Sequence, residues 1–249
     1  MADSAWDASL AAAARATTDA PRHSATVRIT HWVTTICFVA LLVSGIEIVI
    51  SHPRFYWGEA GNVLTPPLFQ IPIPASRSSV PTGYGYVLPD QNGWSRSLHF
   101  QAAWAVALTG LVYLIYGVFA GHFRKHLLPA APDLTWRALS GVIANHLRFK
   151  PPGEAEAWAY NVVQRLTYLC VIFVLFPLMI WTGLAMSPAI VSVFPAAMTV
   201  FGGQQSARTI HFFDTAILVL FLLVHIAMVW LAGFRRRMRG MITGRAGAK

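Results

Sequence analysis

Four stretches of this 249-residue chain, at about 26–50, 94–120, 160–186 and 208–233, are apolar almost without interruption. Each is long enough to cross a hydrocarbon core of about 30 Å, which takes about 20 residues as a helix. In lipid the backbone must satisfy its own hydrogen bonds, so a span of this kind is an α-helix or part of a closed barrel. Runs of this length are too long for barrel strands. The predicted fold is therefore all-α, a four-helix transmembrane bundle. Only 12% of residues are charged, about half of what soluble domains carry.

Charge distribution orients the bundle. Of the 19 Lys and Arg, fifteen lie in the N-terminal tail, the second connection and the C-terminal tail, and four in the first and third connections. The positive-inside rule puts both termini in the cytoplasm. The expected location is a bacterial inner membrane, with a long extracytoplasmic loop between helices 1 and 2. The net charge of +9 reads as a topology signal and membrane-lipid contact, not as a nucleic-acid patch. Residues 1–25 have Asp3, Asp7 and Asp19 and no apolar core after a basic start. They read as a cytoplasmic tail, not a secretory signal. The organisation is thus a tail at 1–25, a bundle at 26–233 and a basic cytoplasmic tail at 234–249. Cys37 and Cys170 sit inside apolar runs and read as packing residues.

The fourth stretch carries His211 and His225, fourteen residues apart. On a helix that is a rise of about 21 Å and a rotation to within about 40° of one face. Ionisable groups inside a membrane are costly and face partners in the bundle. His31 and His99, each near the start of another stretch, supply them. Antiparallel topology pairs His99 with His211 on the outer side and His31 with His225 on the inner side. Two imidazole pairs at two depths suit two b-type haems, and no Cys-x-x-Cys-His segment offers covalent attachment. A histidine-lined metal or proton carrier is the alternative from the transport class, but the broken-helix repeats of many transporters are absent from the sequence.

Three stretches begin Arg-x-x-His, with Arg28, Arg96 and Arg208; the remaining one has Arg165 followed by Tyr168. Each Arg stands one turn nearer the headgroups than its imidazole, where a guanidinium can pair with a haem propionate. Interfacial snorkelling is the alternative for any one of them. Gly45 lies level with the outer pair, and Gly110 and Gly117 flank the inner level. Glycine there gives a macrocycle close approach, or serves helix packing.

The first connection, 51–93, is rich in Pro, Gly and aromatics and nearly free of helical or strand periodicity. It is expected to cover the outer mouth, as a lid or as a docking surface for an extracytoplasmic redox subunit. In the second connection, His122 and His126 have helical metal-ligand spacing without a third ligand, and read as a basic flank. Residues 134–147 form an amphipathic pattern too short to span. Glu47 and Asp214 are candidate proton-relay or structural groups near the outer pair, and His52 is an alternative outer ligand.

RITHW at Arg28–Trp32, RSLHF at Arg96–Phe100 and SARTIHF at Ser206–Phe212 with His225 beyond resemble the bacterial di-haem cytochrome b family. Its members are membrane subunits of respiratory formate dehydrogenases, nickel–iron hydrogenases and thiosulfate reductases. HPRFYWGE at His52–Glu59 and PTGYGYVLPDQNGWS at Pro81–Ser95 resemble a branch associated with molybdopterin oxidoreductases. The resemblance implies that the four histidines ligate two b haems and that electrons pass between the quinone pool and a partner subunit, here a molybdopterin enzyme. The long outer loop departs from the hydrogenase and formate dehydrogenase pattern. A cytoplasmic quinone site near the inner haem would find Asn145 and His146 at the end of the 134–147 segment. Trp57 and Tyr84 in the outer loop would frame the opposite choice. The expected function is transmembrane electron transfer by a subunit that does not itself convert the substrate. A self-sufficient membrane oxidoreductase, such as a superoxide:quinone enzyme, is the alternative.

Overall fold

The first span is bounded by chemistry the sequence displays. Ser24 starts it by accepting a hydrogen bond from the Val27 N–H at 3.3 Å, and the helix Ala25–Ser51 stops two residues before Pro53. A computed structural model describes residues 23–62, 64–72, 80–81, 87–88, 93–129, 134–136, 140, 144 and 162–244. Among them four helices are long and apolar enough to cross a membrane: Ala25–Ser51, Trp94–Phe119, Val162–Ala185 and Gln204–Leu231. These are the four expected spans.

Their polarity is inverted relative to a soluble bundle. Ser44, Thr182, Thr209 and Asp214 are buried, while Ile36, Val39, Val43, Leu220 and Leu223 face outward. Lipid tails are as apolar as leucine, so spans gain by turning small and polar groups inward and large apolar ones out. The first span packs closely along the second, and the third along the fourth. The two hairpins do not pack closely against each other along their lengths. The cleft between them is where the histidines converge.

Two local features depart from the simple pattern of apolar runs. The third span has a π-helical turn at Val171–Leu175 between its α-helical halves Val162–Cys170 and Phe176–Ala185. Pro177 comes just after it; a proline inside a helix cannot bond the carbonyl four residues back and crowds it, and a wider turn absorbs that mismatch. The fourth span begins at Gln204 rather than at about 208. Its first turn is capped from afar, since the Gly58 carbonyl accepts from the N–H groups of Gln205 at 3.0 Å and Ser206 at 3.2 Å. Gly203, at φ +127°, lies against the Gly58 backbone with no room for a Cβ. Only glycine combines that dihedral with that approach.

The first connection does contain strands. Arg54–Phe55 pairs antiparallel with Phe69–Gln70, and Val80–Pro81 with Val87–Leu88. Two-residue strands are too short to express a period of two, which is why the sequence reads as irregular. Phe55 stacks on Phe69 with centroids 4.6 Å apart and rests on Phe212 of the fourth span. This ties the loop to the bundle.

After Gly233 the chain forms a further helix, Phe234–Thr243, within the stretch expected as a basic tail. Its end returns to the first span: Arg28 donates to the Ile242 carbonyl at 2.9 Å and Trp32 to that of Met241 at 3.1 Å. We call this the tail end of the bundle and the opposite end the loop end. Asn145, His146, Tyr84, residues 1–22 and most of the 134–147 segment lie outside the described residues.

Candidate functional site

The four histidines meet as two pairs. At the loop end His99 of the second span faces His211 of the fourth, with ring centroids 6.3 Å apart. At the tail end His31 of the first span faces His225 of the fourth, also at 6.3 Å. Both pairs join one hairpin to the other. An imidazole nitrogen lies about 1 Å from its ring centroid and a metal–imidazole bond is about 2 Å. Two rings ligating one ion from opposite sides therefore have centroids about 6 Å apart. Among the described residues no cluster of three or more His, Cys, Asp or Glu could hold a metal. An ion held by each pair must bring its remaining ligands with it, as haem iron does. The residues present fit that group.

The loop-end pair has a built surround. Ser44 Oγ lies 3.0 Å from His99 Nδ1, and Thr182 Oγ1 lies 2.9 Å from His211 Nδ1. Each hydroxyl donates its own hydrogen to a carbonyl one turn back, Ser44 to Ala40 at 2.7 Å and Thr182 to Leu178 at 2.8 Å. With its own hydrogen on that carbonyl, each hydroxyl is placed to accept from the imidazole Nδ1–H, the tautomer that would leave Nε2 with its lone pair free. The next residue on each helix is a glycine. A Cβ on Gly45 would stand 3.6 Å from His99 Cε1, and one on Gly183 3.7 Å from His211 Cε1.

The tail-end pair is framed by rings. Trp32 meets His31 edge-on at 5.4 Å, and Phe221 stacks on His225 at 5.8 Å. His31 Nδ1 is buried with no hydrogen-bond partner.

The other expected residues occupy a range of settings. Arg208 donates to the His52 carbonyl and lies 4.9 Å above the Phe55 ring. Arg28 holds the Ile242 carbonyl, and Arg96 is exposed at the loop end. Gly45 stands beside His99 as its level predicts, and a Cβ on Gly110 would meet nothing within 4 Å. A Cβ on Gly117 would meet the Phe123 ring. His122 is enclosed by Tyr113 and Tyr116, each at 6.0 Å. His52 caps the first span and its carbonyl holds Arg208, a place unlike that of the paired imidazoles. Asp214, one turn from His211, is 2% exposed and neither carboxylate oxygen has a hydrogen-bond partner. Ser44, Thr182 and Gly183 escape sequence reasoning. Their signal is a hydroxyl–glycine dipeptide, Ser-Gly in one span and Thr-Gly in another.

Residues 22–244 match the prokaryotic cytochrome b561 family. The chain belongs to that family. Cytochromes of this family are multi-pass membrane proteins that bind haem b and carry electrons across the membrane. A relative from Azospira oryzae, provisionally named protein-methionine-sulfoxide reductase subunit YedZ1, is 30% identical over 227 residues, covering 89% of this chain and 96% of its own. No solved structure matches this cytochrome.

Proposed function

We propose that this cytochrome holds two b haems and passes electrons one at a time between the quinone pool and an extracytoplasmic redox partner. The observation that carries the reading is the pair of matched separations, 6.3 Å at each end. His99 and His211 would ligate the loop-end haem, and His31 and His225 the tail-end haem. The haems supply one-electron chemistry; the protein fixes their spacing, ligation and dielectric. Arg96 and Arg208 stand one turn outside the loop-end ligands and Arg28 one turn outside His31, each in reach of a propionate side chain by level. Gly45 gives the loop-end ring a flat approach, and Gly110 an open strip between the levels.

In this reading the loop end faces away from the cytoplasm of a bacterial inner membrane. The partner docks there, over the loop tied to the fourth span. The relative's name, a subunit of a reductase for oxidised methionine, favours a reductase as that partner, and the loop motifs favour a molybdopterin enzyme. Quinone would react at the tail end, near Asn145 and His146, so that electrons use both haems. The protein purified from membranes is expected to contain two haems per chain with a bis-imidazole b-type difference spectrum. Folded protein with less than one haem, after haem supplementation, overturns the reading.

A further inference from the structure

The two hairpins carry the same parts in the same order. In the first, the leading helix has Arg28 and then Ser44-Gly45, and the returning helix has Arg96-x-x-His99. In the second, the leading helix has Arg165 and then Thr182-Gly183, and the returning helix has Arg208-x-x-His211. The spacings differ by one residue. Sixteen residues separate Arg28 from Ser44 (44 − 28), but seventeen separate Arg165 from Thr182 (182 − 165). The third span is also the one with a π-helical turn, Val171–Leu175, lying between those two landmarks. A π turn accommodates one extra residue in an α-helix. Without it, Thr182 would be rotated by about 100° away from the face that meets the fourth span. With it, Thr182 meets His211 at 2.9 Å just as Ser44 meets His99 at 3.0 Å.

We infer that the chain is a tandem pair of equivalent hairpins, and that Ser44 and Thr182 are equivalent positioning residues that set the orientation and electron-donating strength of the two loop-end imidazoles. The inference rests on the loop-end haem of the proposed function. Its physical basis is the chain of hydrogen bonds from imidazole to hydroxyl to carbonyl. Each hydroxyl is fully buried at 0% exposure and lies within hydrogen-bond distance of a backbone carbonyl one turn back, which places it to accept from Nδ1–H. Hydrogen bonding at the far nitrogen fixes the tautomer and raises the basicity of the ligating one. A more basic ligand favours ferric iron, so the hydroxyls hold the loop-end potential down. The tail-end pair has no such control at His31, whose Nδ1 is buried without a partner. The repeat is broken there: Tyr168 stands three residues after Arg165, where His31 comes three after Arg28.

The test is a redox titration of the full-length cytochrome with spectral resolution of the two haems. Ser44→Ala and Thr182→Val should each move the loop-end potential upward by a similar amount and leave the tail-end potential in place. The double variant should move it by about the sum, and the loop-end haem should be lost on dilution or competition about tenfold more readily. Ser44→Thr and Thr182→Ser, which keep the hydroxyl, should restore the wild-type potential. Unchanged loop-end potentials in both single variants, or a shift confined to the tail-end haem, overturn the inference. If His99→Ala retains both haems, the ligand assignment has failed instead, and the two failures are thereby told apart.

Discussion

The loop-end imidazoles are held by the protein at their far nitrogens; the tail-end pair is held by shape. His99 and His211 each have a buried hydroxyl and a neighbouring glycine. His31 has the edge of Trp32 and no hydrogen bond at its buried nitrogen. The difference teaches what a second layer of contacts supplies. At the loop end the hydroxyl contacts hold ring direction before any ligand arrives, so binding has less ordering left to do. At the tail end a bond to bound iron would itself have to complete the orientation. The same four-helix frame thus offers a preorganised site and a looser one, and two centres of one chemistry can differ in potential and retention.

The largest expected effect comes from removing ligands. His99→Ala or His211→Ala should leave one haem, the tail-end one, and His31→Ala or His225→Ala should leave the loop-end haem alone. Loss of one spectral component by both His31→Ala and His99→Ala would break the pairing. The His31→Ala protein also locates quinone. Reduction of its remaining haem by quinol should be slow, since the tail-end relay is gone. A wild-type rate would move quinone to the loop end.

A smaller effect probes the glycine surround. The Cβ of Gly183→Ala would stand at ordinary contact distance from His211, so both haems should stay. Gly183→Leu adds bulk against the imidazole at about 1–3 kcal/mol of strain and should selectively deplete the loop-end haem. Equal depletion of both haems would show that the two sites do not bind independently.

The smallest effect is a pH response confined to the loop end. Burial, and then the Arg208 guanidinium, hold the His52 imidazole below its ordinary value; a backbone bond with Ile48 opposes this and Arg96 adds to it. The neutral form is favoured in the folded state. Stability should be intact above the ordinary imidazole value of about 6.5 and fall as pH drops through the lower folded value. Amide exchange over residues 52–58 should quicken on acidification, and His52→Asn should flatten the response. Equal quickening around Arg28–Trp32 would mean the response is global.

Most of the frame is legible in the chain. Apolar length gives four spans, and the spacing of His211 and His225 against His31 and His99 gives two pairs at two depths. These depend on helical period alone, which sequence displays directly. What escapes is whatever depends on contacts between distant segments. The early start of the fourth span depends on the Gly58 carbonyl. The π turn appears in sequence only as Pro177 and one surplus residue, detectable only after the hairpins are compared. The hydroxyls at Ser44 and Thr182 are two among many polar residues until the fold turns them toward histidines. Arg28 and Arg208 can be read in sequence only by distance from their own histidines. The structure adds the carbonyls of Ile242 and His52, neither of them local in sequence.

The cleft between the hairpins is bridged at both ends by the fourth span and the short helix beyond it. At the loop end Gly58 and Tyr56 accept from Gln205 and Thr209. At the tail end Arg28 and Trp32 reach the last residues of a ten-residue helix that begins after Gly233. A ribosome delivers these closures late. Until the fourth span and the helix after it are made, neither bridge exists. The fourth span, which brings both His211 and His225, completes both imidazole pairs in a single insertion event. A cofactor held by either pair would load only once that span is in, and the tail-end bridge closes only after the final helix has left the ribosome.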